Sequence, residues 1–351
     1  MGSEVHGLSP EMPFCAAAKP AIGQKLDELF QHEAGTRAGN DIEALHDMRV
    51  ASRRLRSAMD MFGVCYPASQ FKPLAKLARS LTRALGEVRD RDVLIESLER
   101  YAMKAPADEK PGVADLVRVL RDERDVYRGG LFQTLDEVEQ AGFRYRLYVL
   151  LMGEAPTSGK GKKKAALGPQ TSLQEQARLI AVERVADLYG YEPYIHDPAN
   201  ATELHAMRIA AKHLRYALEI FSVCYGPDIE DRISNIKDAQ EQIGEIHDCD
   251  VLIEVLKRHL SVVAQRMQED LVALATEPIP HQDRMAHARE LLRGGSADDP
   301  RPGILALLSG KCDERDRRYQ DFIVWWDDRQ RDNLRGKLYS CIAAVNGLAE
   351  A

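Results

Sequence analysis

HDMRVASRRLRSAMDMFGVCY, from His46 to Tyr66, returns as HAMRIAAKHLRYALEIFSVCY, from His205 to Tyr225. The two stretches are identical at 11 of 21 positions, at an offset of 159. A second block follows in both halves: GEVRDRDVLIESL from Gly86 matches GEIHDCDVLIEVL from Gly244 at nine of 13 positions, at an offset of 158. A fainter echo pairs DERD at Asp122 with DERD at Asp313. Because the order is the same in both halves, one whole unit has been duplicated. Each copy of the first block has helical periodicity. Met48, Ala51, Leu55, Ala58, Met59 and Phe62 fall on one face of the first copy. Met207, Ala210, Leu214, Ala217, Leu218 and Phe221 fall on the same face of the second, so each helix has a side meant for a core.

Outward from these blocks, the pattern predicts four helices per half and an all-α fold. They lie near 20–34, 42–65, 69–104 and 109–152, then near 172–190, 200–224, 227–275 and 303–349, with an extra helical piece around 282–293. Asp41 and Thr202 read as the N-caps of the two motif helices. Four amphipathic helices joined by short turns make a bundle. The chain therefore divides into an N-terminal tail (1–19), a first four-helix bundle (20–152), a linker (153–172) and a second bundle (173–351). The linker, GEAPTSGKGKKKAALGPQTS, lacks periodicity; its Lys160, Lys162, Lys163 and Lys164 are expected to be solvated. Two copies of one unit are expected to pack as a dimer does, about a pseudo-two-fold axis.

Composition narrows the function classes. Good helix formers dominate and strand-like β-branched runs are scarce. No stretch is apolar enough to span a membrane, and MGSEVHGLSPEMPF does not read as a signal peptide, so a cytoplasmic location is expected. None of the six cysteines forms a CxxC pair or zinc-type spacing with histidine, so free, partly buried thiols are expected and no metal or cofactor is implied. A net charge of −7 is unlike a general nucleic-acid binder, which is usually basic overall. Any anion site must come from sorting charge onto faces.

That sorting is visible. At 3.6 residues per turn, His46, Arg49, Arg53 and Arg56 share an arc of about 80° opposite the apolar face. His205, Arg208, Lys212 and Arg215 repeat the row. Like charges at i, i+4, as in Arg49 with Arg53 and Arg208 with Lys212, repel unless an anion or acids from a neighbouring helix offset them. Lys72, Lys76, Arg79 and Arg83 share a face of the third helix, while their counterparts Glu230, Ser234, Lys237 and Glu241 keep only Lys237. Lys25 and Arg184 align with each other on the first helices, and Arg54 and His213 flank the rows as secondary candidates. Rows of arginine forks and lysines suit a ligand with many negative charges in line. There is no Gly-rich phosphate loop, and no aromatic platform for bases except Tyr216, so a linear, baseless polyanion such as inorganic polyphosphate fits best. Internal salt bridging by the arginines, and helix-start bonds by His46 and His205, are the structural alternatives. Asp90 with Asp92, and Asp248 with Asp250, point to different sides of a helix, so they are expected to orient the arginines or cap a kink rather than hold a metal. Gly86 and Gly244 are expected to permit close helix contact.

The two HxMR-led segments and the two GE(V/I)xDxDVL segments resemble the CHAD family, the conserved histidine α-helical domain, from about Ala21 onward. The resemblance implies a pair of four-helix bundles with a basic central groove or pore, binding of inorganic polyphosphate, and residence at polyphosphate granules. It puts the ligand contacts at His46, Arg49, Arg53, Arg56, His205, Arg208, Lys212 and Arg215. Family members are often fused to a triphosphate-hydrolysing tunnel domain, whose ExExK pattern is missing here, so a stand-alone, non-catalytic binding module is expected. The competing readings are a phosphohydrolase or phosphotransfer enzyme using His46 or His205, metal binding by those histidines, and a nucleic-acid scaffold.

Overall fold

The computed structural model describes residues 5–39, 42–153, 171–293 and 299–344. Asp41 and most of the linker lie outside the described residues. The first half contributes α1 (Phe14–Gln31), α2 (Glu33–Ala38), α3 (Ile42–Phe62), α4 (Ala68–Ala102), α5 (Lys110–Gln140) and α6 (Phe143–Met152). The second contributes α7 (Leu173–Tyr189), α8 (Ala201–Ile220), α9 (Ile229–Thr276), α10 (His281–Arg293), α11 (Arg301–Arg331) and α12 (Leu334–Ala343). The fold is all-α, as expected, and α10 is the extra piece.

Four expectations are corrected. First, α1 begins at Phe14 and carries Pro20 within it, so the supposed tail is partly helix. Phe14, Ala17 and Ala18 are buried, and that burial holds the first turns despite the proline's missing N–H donor. Second, the fourth helix of each half breaks in two, at Gly142 (φ 62) and at Asn333 (φ 56). A residue in the left-handed region cannot continue a right-handed helix. Third, Thr202 lies inside α8, whose N-cap is Asn200. The preceding turn, in which Asp197 Oδ1 accepts from the Ala199 N–H, starts the helix ahead of Thr202. Fourth, Cys15 and Cys65 form a disulfide with Cα atoms 5.3 Å apart, while Cys224, Cys249, Cys312 and Cys341 are free. Packing of α1 on α3 brings the start of one helix to the turn that ends the other, across 50 residues of sequence.

The contacts divide the chain into two compact units, each drawing on both halves. One contains the chain up to Arg89, Tyr127–Gly244 and the chain from Asp321; the other contains Asp90–Val126 and Glu245–Gln320. In the first unit α1 packs on α3 and α6, while α7 packs on α8 and α12. The two sets meet through α1 with α7 and α3 with α8. The meeting is reciprocal: the Phe14 N–H donates to the Thr171 carbonyl at 3.0 Å, and the Leu173 N–H donates to the Met12 carbonyl at 2.7 Å. Phe62 and its counterpart Phe221 touch edge to face, with centroids 5.7 Å apart, and Phe14 stacks on Phe62 at 4.8 Å. The second unit has its own apolar core, in which Leu98, Val113, Leu116, Leu120, Leu252, Leu256, Ile304 and Leu307 are buried.

Candidate functional site

Every candidate cation lies in the first unit. The apolar residues of α3 and α8 named above are all buried, which turns the histidine-led rows to the opposite face. His46, Arg49, Arg53, Arg56, His205, Arg208, Lys212 and Arg215 are all half-buried there. Because α3 packs on α8, the two rows converge. Lys212 registers the convergence: burial, followed by the charges of Arg53, Arg208, Arg56 and Arg49, pushes its ammonium down from 10.5 to about 8. Four arginines from two helices thus act on one lysine. His213 is pushed down from 6.5 to about 4, by burial first and then by Lys212, Arg184 and Arg56. That places Arg184 of α7 beside the same cluster. His205 is lowered by burial, Arg208 and Lys212.

Pairing within the protein is uneven. Arg53, Arg56 and Lys212 make no ion pair among the described residues, and Arg54 and Arg56 each leave Nε buried without a hydrogen-bond partner. Arg215, the counterpart of Arg56, is held by Gln240 and Glu219 at 3.0 Å each. It also lies over the Tyr216 ring at 4.9 Å; that ring is buried, so it offers bases no platform. Arg184 pairs with Asp187 at 3.2 Å and Lys237 with Glu241 at 3.5 Å. Lys25 is only 3% exposed and pairs with Glu28 at 2.9 Å, which sets it inside α1's packed face. Lys72, Lys76, Arg79 and Arg83 are all exposed along α4 and make no ion pair among the described residues.

Two motif features act differently from expectation. A Cβ on Gly244 would stand 3.2 Å from Arg208 Nε, and one on Gly86 would stand 3.7 Å from Arg49 Nε. These glycines clear a path for the leading arginine of each row, rather than only easing helix contact. Asp92 and Asp250 pair with Arg124 and Arg315, not with row arginines, the second pair at 3.0 Å. Arg124 and Arg315 are the arginines of the two DERD echoes, so that faint repeat marked a duplicated, part-buried ion pair. Among the described residues no group of three or more His, Cys, Asp or Glu side chains could hold a metal ion.

Fold and site together define an all-helical protein built from a repeated sequence unit, in which two converging rows of cations lie on packed helices. The chain belongs to the CHAD family: the family model of the CHAD domain matches residues 20–257, and the family is linked in general to polyphosphate. Among solved structures the chain is similar to the CHAD domain from the plant Ricinus communis, at 24% identity over 87% of this chain and 96% of that one, with a TM-score of 0.57. It is also similar to PptA from Streptomyces chartreusis, at 15% identity over 90% of this chain and 100% of that one, again with a TM-score of 0.57. At these identities the likeness shows the fold. No curated protein matches the chain. Among the described residues no helix is long and apolar enough to cross a membrane.

Proposed function

We propose that the chain binds inorganic polyphosphate without transforming it, and that the two repeats are related by an approximate two-fold axis that brings their cation rows to one groove. The observation that carries this reading is the half-buried Lys212, depressed by its burial and then by four surrounding arginines from α3 and α8. A half-buried cluster of like charge is unfavourable alone and becomes favourable when a dense polyanion enters it. Arg49, Arg53, Arg56, Arg208 and Lys212 are the central contacts, flanked by His46, His205 and Arg184. Lys72, Lys76, Arg79 and Arg83 extend the positive face along α4. On this reading the protein is cytoplasmic and resides at polyphosphate granules where these form.

The test is equilibrium binding of long-chain polyphosphate at several salt concentrations. Binding is expected at ~0.1 M salt and should fall steeply as salt rises, because counterions are released on association. Arg49→Ala with Arg208→Ala should weaken binding by at least about a hundredfold, at roughly 1.5–3 kcal/mol per charge-assisted bond, without loss of helicity. Failure to bind at ~0.1 M salt, or equal competition by heparin and DNA, overturns the reading. Release of orthophosphate from polyphosphate that disappears in His46→Ala would make the protein an enzyme instead.

A further inference from the structure

We infer that the start of α9, the end of α11 and the start of α12 form a second anion site, for a small tetrahedral oxyanion of the phosphate class. A cavity of about 260 Å³ opens there, lined by Arg232, Arg329 and Lys337, with Asp231, Asp332 and Ser234. It shares no residue with the rows on α3 and α8 and does not rest on the polyphosphate reading.

The repeat itself shows that this cavity is a departure. At the offset of 158, Arg232 corresponds to Leu74; at the offset that aligns the DERD echoes (313 − 122 = 191), Arg329 corresponds to Val138. Leu74 and Val138 are buried, at 1% and 2% exposure. Where one repeat buries two aliphatic side chains, the other holds two arginines around a cavity. The exchange loses apolar burial, and nothing in the fold requires it, since the sibling repeat forms the same helices without it.

Nearby acids only partly satisfy these arginines. Arg232 lies 3.9 Å from Asp231, and Arg329 lies 3.6 Å from Asp332, both beyond the usual length of a charge-assisted hydrogen bond. Both aspartates are mostly exposed, at 77% and 62%, so water screens them. Arg232 and Arg329 each leave Nε buried with no hydrogen-bond partner among the described residues. Lys337 makes no ion pair among them, and Arg329 lies over the Trp325 ring at 5.6 Å. A buried N–H without an acceptor is costly, and a guanidinium with donors unmet calls for an oxygen. Two forks and an ammonium ask for at least three acceptor atoms, and against Asp231 and Asp332 they keep a net positive charge. A monocarboxylate supplies two oxygens, whereas a tetrahedral phosphate supplies enough to reach all three cations. The cavity is smaller than the roughly 300–1,000 Å³ of drug-sized pockets, which favours a small oxyanion over a nucleotide.

The test uses the full chain, with inorganic phosphate and acetate as probes, read by titration calorimetry and by thermal melting. Phosphate is expected to bind with one-to-one stoichiometry and to raise the melting temperature, and acetate is not. Lys337→Gln, at an exposed position, should weaken phosphate by about tenfold. Arg232→Leu with Arg329→Val, which restores the sibling repeat's residues, should abolish phosphate binding while long-chain polyphosphate still binds. Arg49→Ala with Arg208→Ala should leave phosphate binding in place, so this site and the polyphosphate site can fail separately. No phosphate binding at millimolar concentration, equal binding of acetate, or indifference to Lys337→Gln would each overturn the inference.

Discussion

Lys212 is half-buried among Arg53, Arg208, Arg56 and Arg49, and its ammonium is held near 8 rather than 10.5. The unfolded chain therefore holds that proton more tightly, so stability of the ligand-free protein should rise as pH climbs from about 8 towards 10.5. A bound polyanion needs the charged form, so polyphosphate affinity should be full below about pH 8 and decline above it. Lys212→Arg should flatten that decline, which binding isotherms at pH 7, 8 and 9.5 would show. His213, held near 4, is neutral at pH 7, so His213→Asn should leave neutral-pH affinity nearly unchanged. Its depressed value instead costs stability on acidification from 6.5 towards 4, because the unfolded chain takes up that proton first. The two motif glycines should also separate. Gly244→Ala puts a methyl 3.2 Å from Arg208 Nε and should displace that guanidinium, weakening polyphosphate binding about tenfold, the share of one charge-assisted bond. Gly86→Ala has ordinary room beside Arg49 at 3.7 Å, and should raise helix stability by up to about 1 kcal/mol while sparing binding.

At the scale of the helix, α3 and α8 keep the same row, but α4 and α9 have parted. Lys72, Lys76, Arg79 and Arg83 are exposed along α4, whereas on α9 Lys237 is held by Glu241. Replacing the four α4 cations with glutamine should reduce the slope of log affinity against log salt by roughly three, taking about 0.7 per contact as for single strands. Lys237→Gln should change that slope little. Because the four side chains are exposed, helicity should be unaffected. A comparison of salt slopes for the two variants tests whether the ligand runs along α4 alone. The helices were legible because apolar residues recur at the helical period. Their ends were less so: a left-handed Asn333 and a proline inside α1 depend on packing that periodicity does not report.

For the whole molecule, the Cys15–Cys65 disulfide ties the start of α1 to the turn after α3 and closes a loop of 50 residues. Cys65→Ser should lower the stability of the oxidised protein by about 2–4 kcal/mol, the typical loss for a loop of this length, measurable by denaturant unfolding with and without reductant. The bond also bears on location, since a reducing cytoplasm opposes disulfides. Thiol titration of protein taken directly from cells should find four free thiols if the bond persists and six if it is reduced there. Phe62 and Phe221 join the two sets of helices in the first unit, so Phe62→Ala should cost about 3–5 kcal/mol and lower the melting temperature more than any row substitution.

The sequence by itself determined that the chain is helical, that its unit is repeated, and which side chains share a face, because each follows from local periodicity and from identity at a constant offset. His46, Arg49, Arg53 and Arg56 could be set in line with His205, Arg208, Lys212 and Arg215 without coordinates. Only the tertiary structure decided that the rows meet around Lys212, that Lys25 is turned inward and that Arg215 is already satisfied by Gln240 and Glu219. It alone paired Cys15 with Cys65, gave Asp92 and Asp250 to the DERD arginines, and opened a cavity beside Arg232 and Arg329. Each of these depends on which remote helices pack together, and a helical pattern records the direction of a side chain but not what it will meet.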